Sequence, residues 1–381
     1  MLESIAVLWS KIAAAFMSVV VLFGTTFGLF IPATTTASAD YYNENVKNVI
    51  YLIGDGMGFN HLEKTKNERN ITLTMDTFEI QGASRTRSYT NAVTDSAAGG
   101  TALATGTRTY NGGIGVYFYD PVDAFTHPKN LTELCMEKGM KTGVITTDET
   151  SGATPASFSA HSSDRGNTED ITNDQLTSGI DLIWGAANGV ATESAANENG
   201  YTYITTDDEM MALTEGSRSF AQFTNTLWNL EQSDENTPNL EQMSMKAIDL
   251  LDDTDEGFFL MIEGAHIDKH SHSNDSEAMT EALQEFDETI ESVLEYARAD
   301  GETLVVITAD HETGAIVLND DGSYSFTSGS HSAADVPILV YGSELLIDNG
   351  ETINNYELPI RIAYTIGFTE DDFPFEVDLV A

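Results

Sequence analysis

Short apolar runs that end in carboxylates constrain this 381-residue chain more than any other feature. Runs rich in Val, Ile, Leu and Phe alternate with longer amphipathic segments, as expected when strands buried on both faces alternate with helices. The clearest strands span Val46–Ile53, Thr142–Thr147, Gly257–Ile262, Thr303–Thr308 and Val336–Tyr341. The clearest helix spans Asp275–Arg298, with Leu283, Phe286, Ile290 and Leu294 on one stripe. This rhythm predicts a single large α/β domain built on a central, mainly parallel sheet with helices on both faces. Three of the strands run into acids: Ile53-Gly54-Asp55-Gly56, Met261-Ile262-Glu263-Gly264 and Ile307-Thr308-Ala309-Asp310-His311. Ligands of open α/β sheets gather at the carboxyl ends of strands, so the repeat predicts a shared polar cleft. A lone acid there reads better as the first residue of a solvated turn, and it is the three together, with His nearby, that favour the cleft.

Several segments supply ligating or nucleophilic side chains. Glu263-Gly264-Ala265-His266-Ile267-Asp268-Lys269-His270-Ser271-His272 is dense in carboxylates and imidazoles, the donors that suit Zn²⁺ or Mg²⁺. Asp268 with His272 and His266 with His270 are competing i, i+4 pairs, and spacing does not choose between them. Asp310-His311 at a strand end, and His331 just before another strand, form a second group. In Val93-Thr94-Asp95-Ser96-Ala97-Ala98-Gly99-Gly100, small residues follow a polar trio, so Ser96 falls where a loop enters a helix. A serine there is an N-cap, or else a group poised at the positive end of a helix dipole.

Net charge and processing signals bound the setting. Seventeen basic residues face 61 acidic ones, a net charge of −44, which argues against nucleic-acid binding and suits a saline medium that screens self-repulsion. Lys11, the apolar run Ile12–Phe30 and the small residues before Asp40 read as a signal peptide over residues 1–39, cleaved after Ala39. An uncleaved membrane anchor is the alternative, and either predicts a periplasmic or extracellular protein. Cys135 is the only cysteine, so no intrachain disulfide forms; its helical surroundings mark it as a buried structural thiol. The polar stretch Asp170–Gln242 reads as an insertion or peripheral subregion of a catalytic domain spanning residues 40–381.

Taken in order, Asp55-Gly56-Met57-Gly58, Thr94-Asp95-Ser96-Ala97-Ala98, Glu263-Gly264-Ala265-His266-Ile267-Asp268-Lys269 and Thr308-Ala309-Asp310-His311-Glu312-Thr313-Gly314 resemble the signature segments of alkaline phosphatases. Further matches are Thr105–Gly112, Ala153-Thr154-Pro155-Ala156 with Ala160-His161 and Arg165, and Gly329-Ser330-His331. The resemblance extends from about Lys47 to Tyr341. It implies hydrolysis of phosphate monoesters to alcohol and inorganic phosphate through a phosphoserine on Ser96, by a homodimer. It further implies two Zn²⁺ and one Mg²⁺ per chain: one zinc on Asp268, His272 and His331, the other on Asp310, His311 and Asp55 with Ser96 as a further ligand. Magnesium would take Asp55, Thr154 and Glu263, and Arg165 would clamp phosphate oxygens with its bidentate fork. His266 and His270 fall outside this pattern and read as polar surroundings or surface.

One position departs from the family. Gly152 stands two residues before Thr154, where bacterial relatives commonly carry Asp and animal ones His. The expectation is that Thr154 and Lys269 lack a partner there, giving looser magnesium binding or a faster, less stable site. The chain also lacks the family's larger surface insertions, which leaves the site open. Sulfatases of the superfamily need Cys or Ser followed by x-Pro-x-Arg, absent after Ser96, and its phosphodiesterases usually present Thr; Ser96 with Arg165 favours the monoesterase. A non-catalytic exported protein that binds metal or phosphate is the reading from a different class, and it leaves Ser96 unexplained.

Overall fold

All seven residues of β1 (Asn48–Gly54) are buried, which requires cover on both faces. Neighbouring side chains go to opposite sides: Ile50 and Leu52 join one apolar core, Val49, Tyr51 and Ile53 the other. The computed structural model describes residues 37–118, 127–224 and 236–373, and those from Ser38 on belong to one unit. The apolar run of the expected export segment lies outside the described residues. Among the described residues no helix is long and apolar enough to cross a membrane.

The other strands of the main sheet are β2 (Ile80–Arg85), β3 (Lys141–Glu149), β4 (Leu182–Ala186), β5 (Thr202–Ile204), β6 (Ser219–Phe223), β7 (Phe258–Gly264), β8 (Thr303–Thr308), β9 (Val336–Tyr341) and β10 (Thr352–Asn354). They line up as β10-β2-β9-β8-β1-β7-β3-β4-β6-β5. Strand β9 runs antiparallel to both of its neighbours, while the pairs β1–β7, β1–β8, β3–β7, β3–β4, β4–β6, β5–β6 and β2–β10 are parallel. The expected mainly parallel α/β sheet is therefore what the chain forms. The stretch Asp170–Gln242, expected to be an insertion or peripheral subregion, supplies β4, β5 and β6, which continue the same sheet to one edge.

The helices that matter for the site are α1 (Ser96–Thr105), α2 (Leu131–Glu137), α3 (Ala153–Ser157), α4 (His266–His272) and α5 (Ser276–Asp300). Asp275 caps α5 by accepting the Ala278 N–H, and Gly301, at φ 78°, ends it in the left-handed conformation. Its predicted stripe is buried, including Phe286 at 1% exposure. Each such side chain contributes about 1.5–3 kcal/mol by leaving water. Cys135 is buried in α2, and burial pushes its thiol up to about 12, so it is inert at ordinary pH.

The order of the central strands positions the chemistry. Strands β8, β1 and β7 are adjacent and parallel, with Ile53 opposite both Thr308 and Glu263. Their carboxyl ends therefore emerge side by side.

Candidate active site

Asp55, Glu263 and Asp310 leave those three strand ends and are all buried, as is Asp268 at the start of α4. Four carboxylates buried together repel one another and lack hydration. Burial, then the carboxylates of Asp310, Asp268 and Glu263, hold Asp55 well above the usual carboxylate range. Burial, then Asp148, pushes Glu263 up to about 8. The backbone at Gly56 makes the cluster possible. At φ 74° it is left-handed, and a Cβ there would lie 2.8 Å from the Cβ of Asp268. Its N–H donates to Asp310 Oδ1 at 3.2 Å.

Ser96 opens α1 beside this cluster. It is not the cap: Asp95, at φ −99° and ψ 172°, fills that position and accepts the Ala98 N–H at 3.0 Å. Ser96 is the first helical residue, 5% exposed, with its Oγ 3.1 Å from His311 Nε2. The small residues after it let the helix end press against the strand. A Cβ on Gly99 would come within 2.8 Å of the Asp310 carbonyl. Asp95 also reaches the expected phosphate clamp, because Arg165 Nη1 donates to Asp95 Oδ2 at 3.2 Å, with the arginine side chain 41% exposed.

Three imidazoles complete the cluster, and each is turned the same way. His331 Nδ1 lies 2.9 Å from the Thr94 carbonyl, and His272 Nδ1 lies 2.9 Å from that of Gly329. The Thr313 hydroxyl donates to Asp268 Oδ1 and so accepts from His311 Nδ1 at 3.2 Å. Each Nδ1 therefore carries the proton, and each Nε2 directs a lone pair inward. Those lone pairs crowd: His272 Nε2 is 3.1 Å from His331 Nε2 and 3.4 Å from Asp268 Oδ2. His311 Nε2 is 3.2 Å from Asp310 Oδ2 and 3.5 Å from Asp55 Oδ1. Burial and His331 push His311 down to about 3, so a proton does not relieve the crowding. Divalent cations do, and the donor set fits them. Asp55, Asp310 and His311 form one group whose ligand atoms lie within 4.8 Å of each other; Asp268, His311 and His331 form another. Buried Asp55 Oδ1, Asp310 Oδ2 and Thr154 Oγ1 accept no hydrogen bond from the described residues, as ligand atoms would.

The structure corrects one expectation. Lys269 does not lack a partner near Gly152, because Asp148 on β3 pairs with its ammonium group, both side chains about four-fifths buried. The carboxylate also fills the space a side chain at 152 would take: a Cβ there would lie 2.6 Å from Asp148 Oδ2. Thr146, which donates to Glu263 Oε2, was likewise missed, as was the second role of Asp95. Polar residues on buried β3 were the signal that could have pointed to Thr146 and Asp148. The competing histidines go elsewhere. His266 is buried and driven down to about 3 by burial, then Lys269 and His270; its ring lies 6.0 Å from that of His270.

The family model for alkaline phosphatase matches residues 46–186 and 185–341 of this chain. Alkaline phosphatase 4 of Bacillus subtilis is 32% identical over 331 residues, covering 78% of this chain and 69% of the relative. The Escherichia coli alkaline phosphatase is 27% identical over 386 residues, covering 78% and 81%. The solved alkaline phosphatase of the Antarctic bacterium TAB5 superposes with a TM-score of 0.72 at 31% identity, over 84% of this chain and 97% of that one. With its strand-end carboxylates, its inward-facing imidazoles and a serine at a helix head, this chain belongs to the alkaline phosphatase family and is a phosphomonoesterase.

Proposed function

We propose that hydrolysis proceeds through a phosphoserine on Ser96, in a site that holds two Zn²⁺ and one Mg²⁺. The observation that carries this is the buried Ser96 Oγ, 3.1 Å from His311 Nε2 at a helix head, next to two buried carboxylate oxygens, Asp55 Oδ1 and Asp310 Oδ2, that accept no hydrogen bond from the described residues. Asp268, His272 and His331 would hold one zinc, and Asp55, Asp310 and His311 with Ser96 the other. Asp55, Thr154 and Glu263 would hold magnesium. A variant of the TAB5 enzyme holds Mg in its M3 site, which supports a magnesium position in this chain too. When bound, such ions lower the pKa of an adjacent hydroxyl and neutralise the attacking and leaving oxygens.

The protein's own groups do the positioning. Ser96 Oγ attacks phosphorus, its bond to phosphorus forms, and the bond from phosphorus to the ester oxygen breaks to release the alcohol. The first backbone N–H groups of α1 and the Arg165 guanidinium receive the phosphoryl oxygens. Asp95 keeps that guanidinium beside the serine and caps the helix with its other oxygen. Water then attacks the phosphoserine, the Ser96 oxygen departs with a proton, and inorganic phosphate leaves. Rates on p-nitrophenyl phosphate, its bis-ester and the corresponding sulfate test the reading. The monoester is expected to be fastest, and a preference for either of the others sinks it. Export through residues 1–39 to a saline periplasmic or extracellular space, and assembly as a homodimer, complete the proposal. N-terminal sequencing of the natural protein and sedimentation of the purified one check them.

A further inference from the structure

His127, Glu133 and His161 meet in a cavity of about 260 Å³ that shares no residue with the phosphate site. One ligand atom from each lies within 4.8 Å of the other two. Two of the three are oriented by other bonds. His161 Nδ1 lies 2.6 Å from the Gly115 carbonyl, so Nδ1 carries the proton and Nε2 presents its lone pair. Glu133 is locked by the capping box of α2: its Oε2 accepts the Asn130 N–H at 2.9 Å, and its own N–H donates to Asn130 Oδ1 at 2.9 Å. Its other oxygen, Oε1, then faces His161 Nε2 at 3.3 Å.

A lone pair set against a carboxylate oxygen at that distance is repulsive unless a cation lies between them. Two candidates exist: a second proton on His161, or a metal ion. A proton would need Glu133 alone and gives His127 no part. The His127 ring lies over His161 with centroids 3.5 Å apart, and that brings a second imidazole nitrogen within reach of an ion held between His161 and Glu133. Asp174 adds a further carboxylate to the wall, its Oδ2 accepting the His161 N–H at 2.8 Å. His127 itself is exposed, which opens the cavity to solvent and supplies an entry path.

We propose that this cavity is a further Zn²⁺ site, formed by His127, Glu133 and His161. Two imidazoles and one carboxylate are a zinc donor set, with water completing the tetrahedron. The ion ties together the chain before α2, α2 itself and the stretch that leads to Arg165. Ser162 on that stretch already bridges Ile114, and the Arg165 N–H donates to the Gly112 carbonyl at 2.8 Å.

The test is metal content. Wild type, His127→Ala and Glu133→Gln are dialysed against the same free Zn²⁺ and assayed by elemental analysis, then for thermal unfolding and turnover. Glutamine keeps the capping box, and His127 is at the surface, so both variants should fold. Each is expected to lose one equivalent of zinc per chain while His127→Ala retains its turnover. The zinc-loaded variants should melt below zinc-loaded wild type, with His127→Ala and wild type melting together once metal is stripped. Equal zinc content in wild type and both variants overturns the site and leaves a protonated His161 paired with Glu133.

Discussion

Gly152→Asp tests how the magnesium corner is built, because the Asp that the resemblance leads one to expect at this position should be harmful here. The glycine backbone, at φ −52° and ψ 152°, suits any residue, so no conformational strain enters. The new carboxylate would instead arrive next to that of Asp148, whose Oδ2 is 2.6 Å from the Cβ position. Two like charges about 4 Å apart at an effective dielectric near 20 cost about 4 kcal/mol. Sharing Lys269 and capping α3 return about 1–2 kcal/mol, leaving the variant about 2 kcal/mol less stable. Asp148→Ala deprives the largely buried ammonium of Lys269 of this carboxylate. Breaking a fully buried pair costs about 3–5 kcal/mol, and the residual exposure here brings it to about 2–3. In the double variant the new carboxylate takes over the vacated place, so the two losses should not add. A coupling of about 3 kcal/mol is expected in a double-mutant cycle from urea denaturation of metal-stripped protein. Additive losses, or a Gly152→Asp variant as stable as wild type, would refute the reasoning. Mg²⁺ titration of the four proteins should rank their affinities in the same order.

Ser96→Ala should lower turnover of a monoester by at least about 10³-fold while zinc content is unchanged, as measured by steady-state kinetics and elemental analysis. Chelation should abolish activity and lower the melting temperature, and Zn²⁺ with Mg²⁺ should restore both, because the buried carboxylates of Asp55, Asp268, Glu263 and Asp310 then regain cations. Gly56→Ala places a methyl group against Asp268 at a left-handed φ and should cost about 2 kcal/mol or more, with zinc affinity falling in parallel. Glu285, on α5, is pushed up to about 7, chiefly by burial. Its folded pKa is above its unfolded value near 4.5, so the stability it contributes is complete below about pH 4.5 and is lost as pH rises through about 7. For a half-buried group this amounts to about 1–2 kcal/mol, so Glu285→Gln should match wild type at pH 4 and exceed it by that much at pH 8. A difference that does not change with pH would count against this.

What the sequence made legible follows from how local each signal is. The buried strands announced themselves because β1, β7 and β8 are apolar through nearly every residue, and the acids after them mark where each chain leaves the sheet. That those three ends touch depends on the order β8-β1-β7, which sequence order does not carry. Strands β4 to β6 were hidden for the opposite reason: each has five residues or fewer, set among polar loops. The rival pairs on α4 could not be separated by period, since His266 with His270 and Asp268 with His272 both span one helical turn. Distant groups select between them: Thr313 and His331 draw Asp268 into the cluster, and the Gly329 carbonyl orients His272. Ser96 shows the same limit at closer range, because Asp95 and Ser96 have equal claims as caps. With the cap filled by Asp95, the serine hydroxyl is left to face His311, and its partner lies 215 residues away. Asp148 goes further still. It supplies from β3 a carboxylate that the motif would place at position 152, so the chemistry at Lys269 is kept while the residue that carries it has moved.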